Sequence, residues 1–569
     1  MATRSAWLDG LQASCDDRAE TTITGRVADQ ATLPGLPAKV RDWAWSRSRR
    51  AAPTPADHRH GGMAMQPSKH PSASRAGIAW LPTRILAVVV IAGSASLFAT
   101  FWDDAWHTDL GRDQATIPPH LLLYGSVGVV GGIVVAWGLS VLRRSRSLAA
   151  VLRQPPLLLA ATGGMVTLAA MPIDAAWHAA FGRDAVLWSP PHMLGVFGSL
   201  ALLVGILAGA RSESETHPWI LAGLGALVLG SAVIPVLEFE TDVPQFSEAL
   251  YLPVLLAASL FAAMVLRHVI PGPLPVVRAV GIYALLRVAI TLGLAGLGRS
   301  TPALPLAILG LAAIDLPLPW RTAAARYAGG AAGVALILLA ASAVGLASVD
   351  TGAVALVAVP VLLVSGMILA IQAGRLRRSR RPSVLLLLAL ALALSPTAAG
   401  AHDPGQGRAV APVTLIGTSD GHGSLTITAE TPADTCSALT PGRVIARRAG
   451  RTVTGALTAT GPCRYAGQVR VTATGRWFLY VQPRLGARVL EAWLPMDPTR
   501  AGRVVQRRDL YLPAGRPDGA GPPTAEVVSG IVLYALGVFL LALILRQVRG
   551  FSRTPPARSS SLGSAPIRE

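Results

Sequence analysis

Asp103-Asp-Ala-Trp-His107-Thr-Asp-Leu-Gly-Arg112-Asp113-Gln-Ala-Thr-Ile-Pro118-Pro119-His120 is the stretch around which the chain is organised. Seventy-one residues later most of it returns, as Asp174-Ala-Ala-Trp177-His178-Ala-Ala-Phe-Gly-Arg183-Asp184 and then Pro190-Pro191-His192. Both copies read D-x-x-W-H-x-x-x-G-R-D followed by P-P-H. An Asp and a His four apart share one helix face, one turn from each other. The last His of each copy, 13 residues on in the first and 14 in the second, opens the next apolar run. Two imidazoles and a carboxylate converging on one point form a transition-metal site in outline, and zinc, copper and iron all accept that donor set. Arg112 with Asp113, and Arg183 with Asp184, are read as groups that orient the imidazoles or close the loop. The competing reading, in which Asp103 and Asp174 only cap helices or pair with Arg112 and Arg183, has to explain why the whole set occurs twice.

Outward from the motifs the chain is apolar. Of 569 residues 52% are hydrophobic and only 14% are charged. Runs of about twenty apolar residues recur, the length that crosses a bilayer. The class is therefore an all-α polytopic membrane bundle, with lipid as its first partner. The formal net charge of +19 sits in short Arg clusters between apolar runs, as topology-setting loops require, and does not indicate nucleic acid. Clustered ionisable groups at a membrane face are costly without a use, which favours metal binding at the motifs.

About ten helices are expected before residue 374, near 83–102, 118–142, 154–172, 190–210, 218–236, 249–266, 276–296, 302–318, 327–347 and 352–373. Arg143-Arg144-Ser-Arg146 and the run from Arg375 to Arg381 are assigned to the cytoplasm. Both motifs then fall on the same, extracytoplasmic face, beside the acidic run Glu238-Phe-Glu240-Thr-Asp242. Residues 1–81 read as a disordered cytoplasmic tail. Residues 82–270 form the domain carrying the duplicated motif, and 271–374 an additional four-helix region. Arg278, Arg287 and Asp315, near helix ends in this second region, are expected to reach the interface.

Residues 375–401 have the form of a signal peptide inside the chain: a basic start, the apolar run Val384–Leu394, and Ala399-Gly-Ala401 as a small-residue cleavage pattern. Cleavage there would make His402 a new N-terminus; an uncleaved membrane helix is the alternative. Residues 402–522 are rich in Thr, Val, Gly and Pro, with alternating stretches at 424–428 and 468–472. They are expected to form an extracytoplasmic β-sandwich of immunoglobulin or cupredoxin type. Cys436 and Cys463 lie in this segment and are expected to pair in an oxidising compartment. A last helix over 523–547 and a cytoplasmic tail, 548–569, put both termini inside.

The D-x-x-x-H…H motifs, with their W-H, R-D and P-x-H context, resemble the C subunit of the copper membrane monooxygenases, the particulate methane and ammonia monooxygenases. The resemblance covers about 83–270. It implies copper as the cofactor, one site at Asp103, His107 and His120, and another at Asp174, His178 and His192. In that family the second triad begins with Asn, where this chain has Asp174. The outer domain is similar, more loosely, to the cupredoxin part of the B subunit, whose N-terminal His binds copper. That implies His402 as a ligand, with His422 completing a brace in place of the family's downstream H-x-H pair. Trimerisation or companion monooxygenase-like subunits are likewise implied by the resemblance alone.

Two functions follow. The chain is either a copper-dependent monooxygenase of a bacterial inner membrane, oxidising a small apolar substrate with O2, or a non-catalytic protein that acquires, stores or transfers copper at the outer face. No catalytic residue beyond the metal ligands is identifiable from the sequence.

Overall fold

The computed structural model describes residues 81–110, 116–181, 187–210, 217–317, 322–373, 407–513 and 524–551. The N-terminal tail, the signal-like segment and all but the first residues of the C-terminal tail fall outside them. Ten described helices are long and apolar enough to cross a membrane. They are α1 (Thr83–Asp109), α2 (Pro118–Ser145), α3 (Pro155–Phe181), α4 (Pro190–Ala210), α5 (Pro218–Val233), α6 (Tyr251–Val269), α7 (Pro275–Gly296), α8 (Ala323–Ala343), α9 (Thr351–Gln372) and α10 (Thr524–Phe551). Five of them begin on a proline, at 118, 155, 190, 218 and 275. The first turn is where proline's missing N–H costs nothing and its fixed φ suits the helix. The side chains of Thr322 and Asp350 cap α8 and α9, accepting from the amides of Ala325 and Ala353.

The duplicated motif becomes a duplicated hairpin. Each copy turns the chain between two antiparallel helices, α1 to α2 and α3 to α4, so both motifs lie at one end of the bundle. Helices α3 and α4 approach backbone to backbone: a Cβ on Gly163 would stand 2.3 Å from the amide of Leu202. Small residues permit such contact between helices that have no hydrophobic effect to drive them together in lipid. Helix α5 is apolar on every side because it runs through the middle. The most apolar window of Pro218–Glu240 is 94% buried, against 28% for α1, which makes α5 the packing axis. The outer faces carry Ile91, Leu285, Leu356 and Ile531, all more than 60% exposed.

Three sequence expectations need correction here. Residues 302–318 are not a long helix: they hold a 3-10 segment, Leu306–Ile314, after an irregular stretch with Pro302 and Pro305. The region 271–374 thus has three long helices, not four. At about 2.0 Å per residue nine residues advance about 18 Å, well short of a bilayer core. The stretch nevertheless connects the two ends of the bundle. Ser300 donates its backbone amide to Asp109 at the motif end, and Asp315 accepts from the amides of Val276 and Val277 at the start of α7. Gly310 and Gly333 make the non-α path possible, since a Cβ on Gly310 would overlap the Gly333 carbonyl carbon at 2.2 Å.

The second correction concerns Arg287, which does not reach an interface. It is fully buried, paired with Glu240, hydrogen-bonded to Tyr283 and the Ala303 carbonyl, and stacked 4.2 Å over the Phe101 ring. Asp315, by contrast, is a structural cap, joined also by Arg267.

The third concerns the domain expected over 402–522. It is a nine-stranded antiparallel sheet in the order β7-β6-β3-β4-β5-β2-β1-β9, with β8 beside β6. The strands are β1 (Gly407–Ser419), β2 (Ser424–Glu430), β3 (Leu439–Arg448), β4 (Arg451–Gly461), β5 (Arg464–Arg470), β6 (Trp477–Leu485), β7 (Arg488–Val489), β8 (Ala492–Met496) and β9 (Gly502–Pro513). Two separate sheets do not form, because β4 serves both halves: Arg451–Ala456 pair with β3, and Leu457–Gly461 with β5. The sheet curls around one core containing Leu415, Ile427, Leu479 and Leu494. A bridge between Glu491 and Tyr511 links its two ends, giving a half-barrel instead of a sandwich.

The half-barrel sits on the motif end of the bundle. Arg448 pairs with Asp242 at 2.8 Å and Glu248 at 2.7 Å, and Arg508 donates to the Asp109 carbonyl at 3.0 Å. Burial beneath the Trp493 ring, 5.2 Å away, lowers the Arg508 guanidinium to about 10, still charged at neutral pH. Val243 completes an apolar cluster with Ile445, Phe478 and Trp493 of the half-barrel.

Candidate metal centre

Three ligand atoms from the first motif converge. Asp103 and His107 lie one turn apart at the end of α1, and His120 sits in the first turn of α2, placed there by the helix start at Pro118. One donor from each lies within 4.8 Å of the others. His120 Nε2 is 3.1 Å from Asp103 Oδ1, and His107 Nε2 is 3.7 Å from Asp103 Oδ2. All three side chains are partly exposed, between 12% and 25%. Among the described residues this is the group of three or more His, Cys, Asp or Glu that could hold a metal ion. Such a spread suits an ion with bonds of about 2.0–2.2 Å to imidazole and carboxylate.

In the second motif, His192 Nε2 is 3.3 Å from Asp174 Oδ1, repeating the contact between the first and last residues of the first motif. His178 is within α3 but its side chain lies outside the described residues, as do Arg112, Asp113, Arg183 and Asp184. Pro172 removes one helical hydrogen bond just before Asp174.

Both motifs line one cavity of about 260 Å³. Its described lining includes Asp103, Asp104 and Asp174 with His107, His120 and His192, and no Lys or Arg. Three carboxylates in one concave, partly buried space create a field that favours a cation. Asp104 Oδ2 is buried without a hydrogen-bond partner among the described residues. The donor set thus fits a borderline transition metal; by itself it does not distinguish copper from zinc or iron.

The acidic run after α5 serves this site and the docking surface rather than forming a solvated loop. Glu238 is buried and accepts from the amide of Leu187 at 2.8 Å, where the second motif re-enters the described chain, and from the Gln245 side chain. Trp188 donates from its ring to the Pro235 carbonyl at 3.0 Å, and Tyr534 of α10 donates to the Trp188 carbonyl. The second motif is thereby fastened to α5 and α10. Trp177 is buried, edge-on to Phe181 at 4.7 Å. Asp104, adjacent to a predicted ligand, is a cavity carboxylate that the motif spacing does not single out. Glu238 lies in the acidic run expected at this depth, but its role depends on partners remote in sequence.

The half-barrel residues stand apart. His402 lies outside the described residues. His422 is exposed in the β1–β2 turn, and it is not one of the convergent ligands. Residue 508 touches the bundle, whereas Gly502 pairs with Ser419 beside that turn, about 20 Å further along β9 at the rise of a strand. Cys436 and Cys463 form a disulfide, as expected.

A family model described as a domain of unknown function (DUF8691) matches residues 1–45. Comparison with curated proteins and with solved structures gives no match.

Proposed function

We propose that this chain is a multi-pass protein of a bacterial plasma membrane that binds copper at Asp103, His107 and His120, with Asp174, His178 and His192 as a second site. The observation that carries the reading is the convergence of three donors within 4.8 Å at the mouth of an otherwise largely apolar cavity. Arg143 and Arg144 at the end of α2 and the Arg run after α9 support assigning the opposite end to the cytoplasm. The motifs and the half-barrel then face outward. A copper ion held there supplies one-electron and O2 chemistry.

The chain's own residues would bind and orient the metal, and the apolar lining of the cavity would admit a small apolar molecule. That lining favours the oxygenase reading, in agreement with the resemblance to the monooxygenase C subunit. A second reading, acquisition and transfer of copper, is favoured by the partial exposure of the three ligands and by the exposed His422.

The test is elemental analysis of the detergent-purified protein, wild type beside His107→Ala/His120→Ala, followed by O2-uptake measurements. Copper kept by the wild type and lost by the variant is the expected result. O2 uptake that depends on copper and on a small hydrocarbon identifies the oxygenase. Binding and release without uptake identifies the handler. Metal content indifferent to both histidines removes the copper reading.

A further inference from the structure

The cavity has a second polar layer that the metal site does not use. Ser96 is seven residues before Asp103 on α1, Thr167 seven before Asp174 on α3, and Ser231, near the end of α5, seven before Glu238 in the short helix beyond the 3-10 turn Ile234–Val236. Ser126 is six after His120 on α2, and Ser199 is seven after His192 on α4. On α1 to α4 two helical turns, about 10 Å, therefore separate each hydroxyl from the carboxylate or imidazole on its own helix. All five hydroxyl residues line the same cavity. Thr167 Oγ1 lies 3.4 Å from Ser199 Oγ, so the layer is continuous at least across α3 and α4.

An apolar band separates the two layers. Leu123, Met171, Val196 and Ile234 line the cavity midway, one turn from either layer on their helices. Thr100, also at mid-depth, donates its hydroxyl to the Ser96 carbonyl at 3.0 Å. Among the described lining residues no charged side chain accompanies the lower layer. A charged ligand end would therefore be desolvated there without a counter-ion. Hydroxyls both donate and accept, and one that bonds back to its own helix, as Thr167 does to the Gly163 carbonyl at 2.9 Å, keeps acceptor capacity towards the cavity.

We infer that the cavity binds a neutral aliphatic alcohol, its hydroxyl in the ring of Ser96, Ser126, Thr167, Ser199 and Ser231 and its apolar body in the band below the metal ligands. The inference rests on the proposed site only in sharing its cavity; the ring stands without a metal. It assigns ligand class to the hydroxyl layer: alcohols over hydrocarbons of equal length, and over carboxylic acids and amines.

The test uses the full chain in lipid nanodiscs and fluorine NMR with 6,6,6-trifluorohexan-1-ol, beside 1,1,1-trifluorohexane as the hydrocarbon. The alcohol is expected to bind more tightly than the hydrocarbon. Ser126→Ala/Ser199→Ala/Ser231→Ala should weaken the alcohol about tenfold or more, the effect of two or three lost hydrogen bonds, and leave the hydrocarbon unchanged. Ser126→Ala alone, the mildest change, should give a smaller shift in the same direction. Equal binding of the two probes, alcohol binding indifferent to the substitutions, or no binding of either overturns the inference. Repeating the titration on His107→Ala/His120→Ala separates the two readings. Ring-dependent alcohol binding that survives there upholds the ring whatever the metal analysis shows, and metal retained by the serine variant without selective alcohol binding leaves the metal site standing alone.

Discussion

His192 Nε2 faces Asp174 Oδ1 at 3.3 Å across the turn from α3 to α4. His120 and Asp103 make the equivalent contact at 3.1 Å across α1 and α2, so a sequence repeat has become a spatial one around a single cavity. If each motif holds a metal, each should fail alone. His107→Ala and His178→Ala are each expected to remove about one metal equivalent with helical content unchanged, because the ligands sit at the rim and not in the packing axis. Elemental analysis with circular dichroism on the same samples checks this. Loss of both equivalents from either variant would instead make the two motifs one shared site.

Arg287 and Glu240 form an ion pair in the middle of the packing, each at most 4% exposed. Arg287→Ala leaves Glu240 buried without its cation, which in comparable pairs costs about 3–5 kcal/mol. Removing both charges together, as Arg287→Met/Glu240→Gln, should recover most of that loss. Thermal unfolding in detergent of the single and double variants measures the difference. Equal destabilisation of both would show that packing around Phe101 and Tyr283, not the charge, holds this region.

Arg448 joins the half-barrel to the bundle through Asp242 and Glu248, and its guanidinium also reaches the carbonyls of Asp242, Arg476 and Ser348. The pair contacts are buried on the arginine side, where a missing cation leaves two carboxylates facing each other. Arg448→Ala should loosen the docking surface while both cores persist. The expected signature is faster hydrogen exchange in 241–248 and 445–449, with unchanged exchange in α4 and α5. Uniform acceleration across the chain would mean that the half-barrel is needed for the bundle itself.

The helical framework was largely open to sequence reasoning. Pro118, Pro155, Pro190, Pro218 and Pro275 mark helix starts, and apolar run length gave nine of the ten expected helices before residue 374. The tenth failed because length and hydropathy do not separate an α-helix from the shorter 3-10 path of Leu306–Ile314. What allows that path is the close approach of Gly310 to Gly333, a contact between distant segments. Arg287 was misplaced for the same reason: its partners Glu240 and Ala303 are remote in sequence, and an isolated arginine near a helix end gives no sign of them. In the half-barrel, the alternation at 424–428 and 468–472 identified strands β2 and β5, but the dual pairing of β4 depends on register with two partners. At the metal centre, the i,i+4 spacing of Asp103 and His107 made one contact legible, whereas the approach of His120 depended on how the turn closes. Glu238 serves the site through Leu187 and Gln245, which no local spacing reveals.

Asp420 offers a pH test of the β1–β2 turn that carries His422. Its carboxylate accepts from the amides of His422 at 2.7 Å and Ser424 at 2.9 Å, and these bonds hold it below the ordinary value of 3.8. A depressed folded-state value means that the unfolded chain takes up the proton first as pH falls. The turn's gain from this carboxylate is therefore complete above the ordinary value and is lost as pH drops through the folded one. In hydrogen exchange corrected for intrinsic rates, protection of 421–424 should be complete above about pH 4 and fall as the pH drops below it. Asp420→Asn keeps an acceptor oxygen but removes the titration, so its protection should be weaker at neutral pH and flat as the pH falls. A variant that loses protection in parallel with the wild type would place the acid-sensitive group elsewhere in the half-barrel.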